Sequence, residues 1–156
     1  PWNSEHNLEV ENRLGSTIRK FHHCQSDPIG DSEPFVGASY LAVIGPRTVW
    51  SIGRPISFGD VTDGTSNTIA VVEVADSGVH WMEPRDLYIG QMSLEVNGLR
   101  GQGISSYHGC ESRCKHAGGC HVGLLDGTYR FIQFSIAPSL LENLLTIDDG
   151  HTLGEF

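Results

Sequence analysis

Hydrophobic positions along this chain change period several times, and each change marks an element. From Glu5 to about Lys20 the spacing is helical, with Leu14, Ile18 and Phe21 on one face and Ser4 where an N-cap belongs. Gly15 weakens that helix. Gln25 to Pro34 (QSDPIGDSEP) is turn chemistry throughout. Ser39 to Ile44 (SYLAVI) reads as a strand ended by Gly45-Pro46, and Thr48 to Ile52 reads as a second extended piece. A polar loop from Gly59 to Asn67 then feeds Thr68 to Ala75 (TIAVVEVA), the best strand of the sequence. Its continuous β-branched run predicts a central strand buried on both faces. Glu73 interrupts that run, and a carboxylate there needs a partner or a shifted pKa.

The segment from Glu83 to Gln102 is weakly patterned and reads as loop. His121 to Leu125 and Thr128 to Phe134 are two apolar runs separated by Asp126-Gly127, which predicts a hairpin closed by a two-residue type I′ turn. Pro138 opens a final helix to about Thr146, with Leu140, Leu141, Leu144 and Leu145 as its apolar stripe and Asp148-Asp149-Gly150 as its stop. These elements predict one loop-rich α+β domain over residues 1–156, an antiparallel sheet flanked by helices.

Composition narrows the function. The 156 residues include 19 Gly and 7 Pro, which suits many turns. Ten Lys and Arg stand against 19 Asp and Glu, a net charge of −9, so the basic footprint of a nucleic-acid binder is missing. No stretch reaches the roughly 18 apolar residues of a membrane span. The chain begins Pro1-Trp2-Asn3 and is read as a processed or truncated piece.

Candidate chemistry is sparse. Asp60, Asp63 and Asn67 offer hard oxygens at short spacing, a candidate Ca²⁺ loop, although Asp63, Ser66 and Asn67 equally suit side-chain-to-backbone turns. His116 and Asp126 could share a ligand, yet a strand and a turn lie between them; Asp126-Gly127 is explained by turn chemistry alone. Four cysteines, Cys24, Cys110, Cys114 and Cys120, point to disulfides in an oxidising compartment or to a metal in a reducing one. With His108, His116 and His121 the cluster has enough N and S donors for tetrahedral zinc, but no C-x2-C is present. No G-x-S-x-G, H-E-x-x-H or phosphate-cradling glycine loop occurs, and the reading is non-enzymatic.

Four segments, in order, carry a resemblance. Phe21 to Pro28 (FHHCQSDP), Ile56 to Glu73 (ISFGDVTDGTSNTIAVVE), Trp81 to Asp86 (WMEPRD) and His116 to Gly127 (HAGGCHVGLLDG) resemble the motifs of the bacterial prepilin-type DUF1559 family, the last being its H-X9-DG motif. Gln25, Ala117 and Leu125 depart from that pattern. The resemblance implies a pseudopilin-like head, normally preceded by an apolar helix that anchors the protein in the inner membrane before assembly. It implies an extracytoplasmic place, at the periplasm or cell surface, and a part in a type II secretion or type IV pilus-like assembly. The expected partners are other pilin-like subunits or secretion-assembly proteins. A solute-binding label also attaches to the family, which gives the alternative of an extracytoplasmic solute- or cation-binding module. In that compartment the thiols are expected to form two disulfides, one from Cys24 to the cluster and one within it.

Overall fold

The computed structural model describes residues 1–24, 26, 37–98, 101–106 and 118–150. In chain order the elements are helix α1 (Glu5–His22), strands β1 (Tyr40–Gly45) and β2 (Trp50–Ser51), a 3-10 turn at Phe58–Asp60, and β3 (Ile69–Glu73). Then come β4 (Leu87–Tyr88), β5 (Gly119–Leu124), β6 (Tyr129–Gln133) and helix α2 (Pro138–Leu145). Among the described residues, no helix is long and apolar enough to cross a membrane.

The six strands form one sheet in the order β2-β1-β3-β5-β6, with β4 also paired to β1. β3 is central, as its β-branched run predicts, and the β1–β3, β3–β5 and β5–β6 pairs are antiparallel. The sheet is nevertheless mixed. β2 and β4 each run parallel to the end of β1. Both are two-residue strands, formed where loops run alongside β1 rather than where hairpins fold back.

Alternation along the strands separates two faces. On one, Leu41, Val43, Val72, Cys120, Val122, Leu124 and Ile132 are buried. Leu141, Leu144 and Leu145 of α2 close over this side and are fully buried. Pro138 sits in the first turn of α2, where its missing N–H costs nothing. The opposite face is only partly covered. Ala70 and Val71 of β3 are half-buried there, so the central strand is not sealed on both sides.

Helix α1 is held by its ends and one polar contact. The Ser4 hydroxyl accepts from Asn7 N at 3.4 Å, and the Asn7 amide donates to the carbonyls of Pro1 and Trp2. Midway, Glu11 Oε1 lies 2.6 Å from His80 Nε2, and the Trp2 ring stacks on His80 at 4.9 Å. At the C-terminus the His22 carbonyl accepts from Ser39 N at 2.7 Å. Leu14 and Phe21 remain exposed, Phe21 to 72%.

The β5–β6 hairpin forms as expected, but its turn differs. Gly127 N donates to Leu124 O, and Leu124 N donates to Thr128 O. The loop is therefore three residues, Leu125 to Gly127. Only Gly127 takes positive φ (86°); a type I′ turn would need it at two positions. A type I turn followed by a left-handed glycine satisfies the same Asp-Gly sequence, and the Asp126 side chain locks it by accepting from Thr128 N and Oγ1 at 2.9 and 2.7 Å.

Because Leu144 is fully buried between α2 and the sheet, Leu144→Ala should lower unfolding free energy by about 2–5 kcal/mol. Chemical denaturation measures this, and a loss under about 1 kcal/mol would mean that α2 does not close the core.

Candidate functional site

The expected cation loop turns out to be a clasp. Asp63 Oδ2 accepts from Asp149 N at 2.8 Å and Oδ1 from Gly150 N at 3.0 Å. Thr62 N and Asp63 N both donate to the Ile147 carbonyl. Asn67 donates its side-chain amide to Asp63 O at 3.0 Å, and Thr68 Oγ1 donates to Gly64 O. The loop before β3 thereby ties down the segment that follows α2. Ser66 is exposed on this loop.

Asp60 closes the 3-10 turn instead. Its Oδ2 accepts from Ser57 N at 2.8 Å and Ser57 Oγ at 2.5 Å, and Oδ1 lies 3.3 Å from Arg54. The Ser57 hydroxyl, then the Ser57 amide and Arg54, hold its carboxyl down at about 2. Thus Asp60, Asp63 and Asn67 each serve a local bond, and among the described residues no group of three or more His, Cys, Asp or Glu is set to hold a metal ion.

Asp126 does meet the Asp63 loop, through backbone: Asp126 N donates to Thr65 O at 3.2 Å and Leu125 N to Thr68 O at 2.9 Å. The bond to Thr128 holds the Asp126 carboxyl below its ordinary value. His116, Cys110 and Cys114 lie outside the described residues, as does His108. The Trp81–Asp86 segment serves the sheet, with Asp86 Oδ1 accepting from Ala42 N at 2.9 Å.

Glu73 meets His121 through one oxygen, Oε2. It is 2% exposed. Its Oε2 accepts from His121 N at 3.0 Å and lies 3.6 Å from His121 Nδ1, and the Cys24 thiol lies near enough for the carboxylate to help raise it. Cys24 is fixed by its own N–H to Ser39 Oγ at 2.8 Å. Glu73 thus ties the start of β5 to the end of β3.

Neither Cys24 nor Cys120 is in a disulfide here. Register shows why a bond between these two is disfavoured. Val72 pairs with Val122, so Glu73 and His121 share the open face, where Cys24 lies, while Cys120 points to the core. There Cys120 Sγ lies 3.4 Å from Asn97 Oδ1. Burial is the main cause that raises both thiols, Cys120 to about 12. Burial likewise raises the Tyr40 phenol to about 12, with the neighbouring Cys24 and Glu73 adding to it.

On the open face lies a cleft of about 340 Å³ that sequence reasoning missed. Its floor is Val71 and Gly123, directly paired across β3 and β5. Glu73 and His121 form the adjacent row, and Tyr40 and Tyr129 line it. The available signal was Gly123, a glycine inside a strand pattern, which marks a place of close approach.

Two outcomes follow. Asp63→Ala strips acceptors from two backbone amides and should cost about 1–3 kcal/mol by chemical denaturation; an unchanged midpoint would show that the clasp does not hold. Cys24, Cys120 and Tyr40 all have folded-state values raised above the ordinary 9.0 and 10.0. Groups raised on folding add stability in full below the unfolded value and lose it as pH climbs to the folded one. The melting temperature should therefore fall from pH 9 towards 12, and a flat profile over that window would refute it.

Comparison with known proteins agrees with the motifs. No curated protein and no solved structure matches the chain. The family model described as SBP_bac_10, protein of unknown function (DUF1559), matches residues 42–139. That span contains the Asp63 clasp loop, Glu73, every lining residue of the cleft except Tyr40, and the Asp126-Gly127 hairpin, and covers more than half of the sequence. The chain belongs to the DUF1559 family.

Proposed function

We propose that this domain is a non-enzymatic, pseudopilin-like head of the cell exterior, working within a type II secretion or type IV pilus-like assembly. Its partners are pilin-like subunits or secretion-assembly proteins. The observation that carries this reading is helix α1. It is docked by polar and aromatic contacts at Trp2, Glu11 and His22, yet leaves Leu14 and Phe21 in solvent at 43% and 72%. Apolar side chains spaced seven apart on a helix form a stripe that a second helix can cover. Packing of α1 against a helix of a neighbouring subunit is the assembly contact that this reading calls for.

A non-catalytic role suits the thiols as well. A nucleophilic cysteine needs a depressed pKa, whereas burial raises both Cys24 and Cys120. Ser66 lies on an exposed loop whose neighbours serve as turn and clasp.

A second reading, an extracytoplasmic solute-binding module, is favoured by the cleft between Tyr40 and Tyr129. Its concave, mostly apolar lining with a few polar groups is the usual form of a small-molecule site.

Sedimentation velocity tests the first reading. The chain should associate reversibly by about 100 μM, and a Leu14→Glu, Phe21→Glu double variant should remain monomeric with its fold intact. A wild-type chain that stays monomeric to about 1 mM, or a variant that associates equally well, would count against α1 as the assembly surface.

A further inference from the structure

We infer that the cleft on the open face of the sheet binds the methylated ammonium headgroup of a small solute. This inference rests on the solute-binding reading and names the ligand chemistry.

Strand register builds the site in two rows. One row is Ala42, Val71, Gly123 and Tyr129; the next is Tyr40, Glu73, His121 and Phe131. Tyr40 and Tyr129 are thus placed diagonally, with Val71 and Gly123 between them. His121 leans on this wall, its ring 6.3 Å from that of Tyr129 and 5.1 Å from that of Phe131.

Gly123 is what leaves the space. Its φ lies outside the left-handed region, so the backbone does not require glycine there. A Cβ built on it would meet nothing closer than Val71 Cβ at 3.7 Å, an ordinary contact. The strand would accept a larger residue, and that residue would grow into the cleft. A glycine that neither backbone geometry nor crowding demands is explained by access to the floor.

Charge selects the occupant. Among the described residues the one carboxylate lining the cleft is Glu73, whose Oε2 lies 3.6 Å from His121 Nδ1, and the rest of the lining is aromatic and aliphatic. A negative group beneath an apolar, low-dielectric wall attracts a cation strongly. The cation must also shed its water cheaply, since Glu73 already accepts from the His121 amide and the lining offers few polar atoms. A methylated ammonium, weakly hydrated and without N–H donors to satisfy, meets that condition. Tyrosine faces add cation–π attraction. A bare metal ion or a primary ammonium would lose hydration that this lining does not replace.

Choline and its neutral isostere 3,3-dimethyl-1-butanol provide the test, by titration of the chain's amide NMR resonances. Choline should shift the Val71, His121 and Gly123 amides saturably, at least tenfold more tightly than the alcohol. Gly123→Leu should abolish binding, and Tyr129→Ala, at a largely exposed position, should weaken it severalfold; both should keep the wild-type fold by circular dichroism. Glu73→Gln, which retains an acceptor for His121 N, should lose the preference for choline over the alcohol. Equal affinity for the alcohol, lost in Gly123→Leu, would overturn the ammonium assignment and leave the solute-binding reading standing. No saturation by either compound to about 50 mM would overturn the ammonium site. A screen of anionic and neutral solutes that also failed would remove the solute-binding reading with it.

Discussion

The structure is organised around one buried carboxylate. Glu73 sits at the end of the central strand with almost no exposure, where an unpartnered charge would be prohibitive. The His121 amide meets that demand at Oε2, and the Cys24 thiol lies beside the same carboxylate, which helps to raise it. Satisfying Glu73 therefore fixes β5 against β3 in one register, while Ser39 holds the turn after α1 through His22 and Cys24. A slip of one residue would send His121 to the core and turn Cys120 to the open face, so the carboxylate and the apolar alternation specify the same pairing.

This constraint also explains why the two faces differ. The core face needs α2, and the segment after α2 must stay in place. The Asp63 side chain holds it by accepting from Asp149 and Gly150, while Arg47 bonds to Asp148 on the same segment. The family's polar loop is thus spent on closing the core side. Its oxygens point at backbone amides, and the same is true of Asp126 in the hairpin. Motifs that look like a shared ligand site by composition are two turns, sewn together through Thr65, Thr68, Leu125 and Asp126.

Much of this was legible from residue order. The β-branched run of β3, the apolar runs around Asp126-Gly127 and the leucine stripe of α2 carry local periodicity, and local periodicity survives folding. Glu73 announced a need for a partner, but sequence could not say that it would be a backbone amide 48 residues later. The same limit applies to β2 and β4. Two residues have no period, and their parallel pairing depends on where loops pass β1. The hairpin turn was misread because Asp-Gly fits both a two-residue I′ loop and a three-residue loop with a left-handed glycine; the distinction lies in which carbonyl pairs with Gly127 N. The expected disulfides, one from Cys24 to the cluster and one within it, involve Cys110 and Cys114, which lie outside the described residues; Cys24 and Cys120 themselves are in none.

The open face remains the informative one. An antiparallel sheet can leave one side to solvent, and then alternation usually places polar residues there. Here Glu73, His121 and Gln133 share the outward face with Tyr40, Val71, Gly123, Tyr129 and Phe131. Stability alone gives no reason for a glycine at the middle of β5, because a side chain at that position would meet only ordinary contacts and would cover Val71. Tyrosine suits a strand, and Tyr129 stands directly across from that glycine with 78% of its surface exposed. Both choices make sense together: the missing side chain opens a floor, the ring walls it, and Glu73 supplies charge from beneath while remaining bound to the fold. The residue that most constrains the architecture is then also the one that gives the exposed face its chemical character.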